Sequence, residues 1–226
     1  MTDADRICII ITEIVPLLAT LFSLIYGFKY FFKKGRPLCL QSLTMAMASH
    51  ALGSIYHICQ TLTRMDLVEG FTPAYLGRIG FFLFIITASY GQLDRIVDDG
   101  SPKMRKARGL AFIGPACAAL LYIPNALFED ADLSTKIVYA IVWIPALISI
   151  YFNLKHALIP NLDFGFIKAL KPYNILVMTL EFADLILLTA WNYYDSTLMV
   201  ISSCLFGVLC VLTMISAKKG VEKWTI

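Results

Sequence analysis

The chain has 226 residues and a net charge of +3, with 58% hydrophobic residues, 15% charged residues and a mean hydropathy of +0.72. Soluble domains carry about 25% charged residues, so this composition excludes a disordered chain, a nucleic-acid-binding module and a soluble enzyme. It predicts an all-α, multi-pass integral membrane protein of the cell membrane, with the lipid bilayer as its main partner.

Seven stretches are long and apolar enough to span a bilayer, which takes about 20 mostly apolar residues per helix. They are 7–28, 38–63, 73–93, 109–128, 134–159, 173–194 and 196–217. These runs are continuous and rich in Leu, Ile, Ala and Met, whereas the strands of a membrane barrel would be short and alternating. We therefore predict one seven-helix membrane domain that covers residues 1–226.

The first and third predicted spans each carry an ionisable side chain near the same end of the bundle. Glu13 lies in the second turn of the first span, and Arg78 lies five residues into the third. Gly77 and Gly80 would let another helix approach Arg78 closely. Ionisable groups at membrane depth are costly and usually face the bundle interior. We expect a Glu13–Arg78 ion pair that lines or seals an outward-facing cavity, with a purely structural pair as the alternative.

The second predicted span carries a polar stripe on one helical face. Its members follow one another at intervals of four, three and four residues: His50, Ser54, His57 and Thr61. Ser49 lies beside the stripe. In lipid such a stripe faces other helices or a cavity and not the acyl chains. Two interpretations stay open, a ligand site and a set of interhelical hydrogen bonds.

Two polar groups near the opposite end of the bundle have structural interpretations. The segment 98–102 combines Asp, Gly, Ser and Pro, which is ordinary turn chemistry. Lys155 and His156 end the fifth span, and we interpret them as long side chains that extend to the membrane interface.

The sixth predicted span carries two carboxylates near its middle. Glu181 and Asp184 are three residues apart, so they occupy neighbouring parts of one helical face. Two carboxylates this close in a low dielectric resist being ionised together, which suits proton coupling or the binding of a cationic group. A hydrogen-bonded structural pair is the alternative. Aromatic walls for such a site are expected from Tyr56, Trp191 and Tyr194.

The orientation follows from the distribution of basic residues. If the loops alternate between the two sides, fifteen of the nineteen Lys and Arg residues lie on one side. The exceptions are Arg6, Arg64, Arg78 and Lys136. By the positive-inside rule, the N-terminus is outside and the C-terminus is cytoplasmic.

The sequence also predicts two parallel repeats, 7–93 and 134–217, joined by a linker helix at 109–128. In each repeat a basic residue precedes a proline at the start of the second helix, at Pro37 and Pro172. Proline suits the first turn of a helix, where its missing N–H is not needed. Chance similarity between apolar helices is the alternative explanation.

Counting from these prolines, Ser49 matches Asp184 at plus twelve, and Tyr56 matches Trp191 at plus nineteen. The second helices of the two repeats are then equivalent. Because polar groups exposed to lipid cost several kcal/mol each, we predict that the polar stripe with His50 and the acidic face with Asp184 meet across one cavity.

This three-plus-one-plus-three arrangement resembles the seven-helix superfamily of SWEET and PQ-loop transporters, nicotinamide riboside transporters and microbial rhodopsins. The resemblance covers the architecture of the whole chain. The sequence has no Pro-Gln dipeptide, and its seventh span has no lysine that could hold retinal. No functional residue is therefore transferred from these families.

Three functional classes remain. The repeat and the carboxylates favour transport of a small cationic or zwitterionic solute, coupled to protons if the acids titrate. A ligand-sensing receptor that signals through a separate partner protein is the runner-up. A membrane-embedded hydrolase is third, because the sequence lacks a His-x-x-x-His pair and the common catalytic motifs. We expect no catalytic centre, metal or cofactor, and homo-oligomerisation stays open.

Overall fold

The computed structural model describes most of the chain and shows only helices and short connections there, with no β-strand among the described residues. The described residues are 3–32, 38–63, 72–94, 98, 100–127, 133–159, 165–193 and 195–224. An all-helical chain of this composition agrees with the predicted fold class.

The helices follow the predicted apolar runs closely. In chain order they are α1 (Asp3–Phe31), α2 (Leu38–Thr63), α3 (Pro73–Ala88), α4 (Arg105–Ala111), α5 (Ile113–Leu127), α6 (Leu133–Ala157), α7 (Gly165–Tyr193) and α8 (Ser196–Trp224). A π-helical segment, Ser89–Asp94, continues α3, and a 3-10 turn, Pro102–Met104, leads into α4. Only Phe112 separates α4 from α5, so these two helices form one rod.

Five of the rods are long and apolar enough to cross a membrane: α1, the joined α4 and α5, α6, α7 and α8. The other two predicted spans differ for physical reasons. α2 has 26 residues but carries the polar stripe, whereas α3 is apolar but has only 16 residues before the π-helical segment begins. The chain therefore has the features of a multi-pass membrane protein, with five spans identified by length and composition.

Six helices form a closed ring. Along the ring, α1 packs on α2, α2 on α3, α3 on α6, α6 on α7, α7 on α8, and α8 returns to α1. The α5 helix lies outside this ring and packs mainly on α6. The polar stripe of α2 and the acidic face of α7 both point into the ring.

The outer surface of the ring is apolar, as a lipid-facing surface requires. On α1, for example, Leu18, Phe22 and Ile25 are each more than half exposed. α1 and α8 also form a shallow apolar groove, lined by Val15, Ala19, Cys204, Gly207, Val208, Val211 and Leu212. The buried interior contains both aliphatic side chains and the polar side chains described below.

One sequence expectation about helix boundaries is wrong. We expected Pro172 in the first turn of its helix, but α7 begins at Gly165, so Pro172 lies inside the helix. An interior proline loses one backbone hydrogen bond, which neighbouring helices and side chains compensate in a membrane bundle. Its predicted counterpart, Pro37, lies outside the described residues. Pro172 therefore does not support the predicted match between the first turns of the two second helices.

Candidate functional site

Close packing of α2 on α3 positions the first part of the site. At Gly53 and Gly77 the two backbones approach so closely that a Cβ atom on either glycine would collide with the other helix. The Ser49 hydroxyl donates a hydrogen bond to the Gly77 carbonyl oxygen at 3.0 Å. Ser49 therefore ties two helices together. The next residue along α3 is Arg78, which this contact places inside the ring.

Arg78 is 1% exposed and lies between two carboxylates from different helices. Its Nε atom donates to Asp184 Oδ1 of α7 at 3.3 Å, and its Nη2 atom is 3.5 Å from Glu13 Oε1 of α1. Both carboxylates are fully buried. The predicted Glu13–Arg78 ion pair is thus confirmed, and Asp184 is a second partner that the sequence did not indicate.

His50 joins the same group from α2. Its Nε2 atom lies 3.2 Å from Asp184 Oδ1, and its Nδ1 atom lies 3.4 Å from the Ser54 hydroxyl. The imidazole ring stacks on Phe206 of α8, with ring centroids 4.5 Å apart. The polar stripe of α2 and the acidic face of α7 therefore meet in direct contact, and the cavity predicted between them stays a prediction.

His57 and Trp191 extend the group toward the end of the bundle where α3 begins. His57 Nδ1 lies 3.8 Å from Glu13 Oε2, and its ring centroid is 4.4 Å from that of Trp191. The Arg78 guanidinium lies over the face of the Trp191 ring at 4.2 Å, a cation–π geometry. We call this set the Arg78 cluster: Glu13, His50, Ser54, His57, Arg78, Asp184 and Trp191.

Many polar atoms of the Arg78 cluster make no hydrogen bond to the described residues. They are both carboxylate oxygens of Glu13, Nδ1 of His57, both Nη atoms of Arg78, Oδ2 of Asp184 and Nε1 of Trp191. Buried polar groups in native proteins are nearly always hydrogen-bonded to protein or to water. Four of these seven atoms face one another in ion pairs, because the two oxygens of Glu13 lie 3.5 Å from Arg78 Nη2 and 3.8 Å from His57 Nδ1. The other three, Arg78 Nη1, Asp184 Oδ2 and Trp191 Nε1, have no such contact and could bond to water or to a polar ligand.

The remaining predicted site residues lie outside this cluster. Tyr56 is half exposed on the outer face of α2, so it does not belong to the buried site. Tyr194 lies outside the described residues. Glu181 is fully buried, but it makes its contact elsewhere: Asn153 Nδ2 of α6 donates to its Oε2 atom at 3.2 Å. The two carboxylates of α7 therefore occupy different surroundings.

Asn153 is a residue that the sequence analysis missed. It is fully buried on α6 and also accepts a hydrogen bond from the Ser89 hydroxyl at 2.8 Å. Its Nδ2 atom is 3.4 Å from the Ser149 hydroxyl. An amide in an otherwise apolar span was the available signal, because such a side chain must find partners inside the bundle.

A second ionic group lies at the C-terminal end of α6. We call it the Lys155 cluster: Asp94, Asp98, Arg108, Lys155 and His156. Lys155 is only 4% exposed and contacts both Asp94 and Asp98. The interpretation of Lys155 as a side chain extended to the interface is wrong, because two carboxylates hold it inside.

The acids of the Lys155 cluster are held in their ionised form. Hydrogen bonds from Arg108 Nε (2.9 Å) and Nη2 (2.6 Å) hold the pKa of Asp98 well below its usual range. Burial alone would raise the pKa of Asp94, but His156 and Lys155 outweigh it, and the pKa is lowered. This cluster connects α4, α6 and the end of the π-helical segment.

Neither cluster forms a metal centre: within the described part of the chain, no group of three or more His, Cys, Asp and Glu side chains is arranged to hold a metal ion. Comparison of the chain with protein-family models, with curated proteins and with solved structures finds no match.

Proposed function

We propose that this protein is a seven-span transporter of a small cationic or zwitterionic solute, which binds at the Arg78 cluster. The observation that carries the proposal is the set of seven buried polar atoms without a hydrogen bond, on side chains that approach one another from α1, α2, α3 and α7. Ligand sites in membrane bundles are built from such convergent groups between helices.

The charge of the cluster supports a solute with a positive group. Glu13 and Asp184 contribute two negative charges and Arg78 contributes one positive charge, so the sum is negative when both histidines are neutral. An ammonium group would balance this charge at Asp184 Oδ2, the carboxylate oxygen that has neither a hydrogen bond nor an ion-pair contact among the described residues. In a zwitterion, the carboxylate would accept a hydrogen bond from Arg78 Nη1, which has no partner among the described residues.

The ring of helices supports the two predicted repeats. If α1, α2 and α3 correspond to α6, α7 and α8, each contact in the ring has a counterpart: α1–α2 matches α6–α7, α2–α3 matches α7–α8, and α3–α6 matches α8–α1. The rod formed by α4 and α5 is then the linker. Parallel repeats with a site at their interface are a known transporter plan.

The proposed orientation has the N-terminus outside, so the Arg78 cluster lies in the outer half of the membrane and the Lys155 cluster at the cytoplasmic end. The support is the excess of Lys and Arg on one side of the chain. A reporter fused after Ile226 is expected to be cytoplasmic. A reporter that labels from outside would reverse this assignment.

Transport is favoured over sensing because polar groups continue past the cluster. Glu181, Asn153 and Ser89 follow in the other half of the bundle, connected by hydrogen bonds of 3.2 and 2.8 Å. A receptor that reads a solute only at the outer end has no need of them.

The test is solute binding followed by solute flux. The purified full chain is heated with amino acids, quaternary ammonium compounds, sugars and nucleosides in turn, and a bound solute raises its melting temperature. Asp184→Asn is expected to weaken binding of an amino acid or quaternary ammonium about 30-fold or more, as loss of a buried charge pair does at 2–5 kcal/mol. Tyr56→Phe, on the exposed face of α2, is the matched control and should bind normally.

Flux of the same solute into vesicles that contain the protein then separates the two classes. Flux that Asp184→Asn abolishes supports transport. Binding without flux would favour the receptor. Binding that is equal in wild type and Asp184→Asn would remove the Arg78 cluster from the site.

A further inference from the structure

Glu181 is a buried carboxyl group without a cation beside it. It is fully buried, and no Lys, Arg or His among the described residues forms an ion pair with it. Its polar neighbours from α6 are neutral: the Asn153 amide donates to Oε2 at 3.2 Å, and the Ser149 hydroxyl lies beside the carboxyl group. The other oxygen, Oε1, makes no hydrogen bond to the described residues.

Asp184, one turn further along the same helix, has the opposite surroundings. Arg78 Nε and His50 Nε2 lie 3.3 and 3.2 Å from its Oδ1 atom. The guanidinium of Arg78 is thus in contact with this carboxylate and opposes its negative charge. Asp184 thus contacts basic side chains and Glu181 contacts a neutral amide, although only three residues separate them in sequence.

Among the described residues, the groups that contact Glu181 provide no compensating positive charge. On α7 the titratable neighbours are Asp184, which is negative, and the buried hydroxyl of Tyr173. From α6 the neighbours are the neutral Ser149 and Asn153. Of the other helices that contact α7, α5 and the segment 196–217 of α8 contain no Asp, Glu, Lys, Arg or His. From α2 and α3, His50 and Arg78 are in contact with Asp184.

An ionised Glu181 would therefore be a buried negative charge one turn from another negative charge. Transfer of an unpaired carboxylate out of water is so costly that such a group takes up a proton. A neutral carboxylic acid suits the site: Oε2 accepts from Asn153, and Oε1 carries the proton.

Hydrogen bonds connect Glu181 through Asn153 to Ser89. Asn153 accepts from the Ser89 hydroxyl, which begins the π-helical segment Ser89–Asp94. That segment ends at Asp94, which lies 3.0 Å from His156. Single π-helical turns inside α-helices are frequent at functional sites.

We propose that Glu181 is a dedicated proton-binding site, separate from the solute site at Asp184, and that Asn153 positions it. On release, the O–H bond of Glu181 breaks, water takes the proton, and the carboxylate keeps the electron pair. The role of this proton in driving solute movement rests on the proposed transport function, whereas proton binding itself does not.

The test is the infrared spectrum of the full-length protein in lipid at neutral pH, without any added solute. A protonated carboxylic acid gives a carbonyl band that shifts in heavy water. This band is expected in wild type and in Asp184→Asn, and it should disappear in Glu181→Gln, which keeps the shape of the side chain. Asn153→Leu should keep the band and move it, because the hydrogen bond to Oε2 is lost.

A wild-type spectrum without this band, or a band that persists in Glu181→Gln, would overturn the proposal. Solute binding then distinguishes it from the proposed function. Glu181→Gln is expected to bind an amino acid or quaternary ammonium as wild type does, and to lose only flux driven by a pH gradient. If Glu181→Gln instead abolishes binding as Asp184→Asn does, Glu181 belongs to the solute site, and the separate proton site is wrong while transport stands.

Discussion

The Arg78 cluster and the Lys155 cluster use the same residue types but differ in how completely their polar groups are paired. In the Lys155 cluster, two basic side chains and a histidine hold two carboxylates, and only His156 Nδ1 is buried without a hydrogen bond. In the Arg78 cluster, seven atoms are in that state, and three of them also lack an ion-pair contact. A saturated network stabilises one structure, whereas an unsaturated buried network has capacity for a ligand. This difference supports the proposal that the Arg78 cluster binds a solute, whereas the Lys155 cluster ties helices together.

The largest expected effect is the loss of Arg78. In Arg78→Leu, Glu13 and Asp184 stay buried without their guanidinium, so we expect a loss of about 3–5 kcal/mol in the free energy of unfolding. Denaturant unfolding of the purified protein measures this loss. Arg108→Leu is the matched control in the other cluster, where the side chain is 33% exposed, and about 1 kcal/mol or less is expected.

A second substitution tests whether uncompensated buried charge causes this loss of stability. Adding Glu13→Gln to Arg78→Leu removes one of the uncompensated charges and should recover part of the stability. If Arg78→Leu costs no more than Arg108→Leu, the two clusters do not differ as argued.

A smaller effect is expected from the backbone that holds the Arg78 cluster in place. In Gly77→Ala, the new methyl group collides with the backbone of Gly53 and the carbonyl oxygen of Ser49. The helices α2 and α3 must separate, at about 1–3 kcal/mol for overpacking. Gly109→Ala in α4 is the control, because nothing lies within 4 Å of the added carbon; it should be neutral or slightly stabilising. Equal stability of the two variants would show that the close approach is unimportant.

The same comparison shows what the sequence could predict. The lengths of the apolar runs were enough to predict where the helices lie, because each span requires a minimum number of apolar residues. Helical periodicity was enough to place His50 opposite Asp184 inside the bundle. Both predictions depend on local patterns that any helix must obey.

The sequence could not show which acid pairs with which cation. Glu181 and Asp184 share a face of α7, yet Asp184 meets Arg78 from α3, whereas Glu181 meets Asn153 from α6. The rotation and depth of each neighbouring helix decide this, and they follow from contacts such as Gly53 on Gly77. Likewise, Tyr56 matched Trp191 by counting, but only Trp191 faces inward. The burial of Lys155 could not be predicted either, because its partners come from residues more than fifty positions earlier.

The smallest expected effect concerns pH and the Lys155 cluster. Arg108 lowers the pKa of Asp98 in the folded protein, so as pH falls the unfolded chain takes up its proton first, near the ordinary Asp pKa of about 3.9. The stabilisation by Asp98 is therefore complete above that pH and is lost as pH falls toward the folded pKa.

Asp98→Asn should lower the melting temperature at neutral pH, and this difference from wild type should shrink below about pH 4. Because this end of the cluster is close to solvent, about 1 kcal/mol or less is expected. Arg108→Gln removes the same pair, so the double variant should lose little more than either single one. A difference that is unchanged down to acid pH would mean that it does not come from the charge of Asp98. The hydrogen bond from the Gly100 amide would not explain it either, because the asparagine oxygen also accepts that bond.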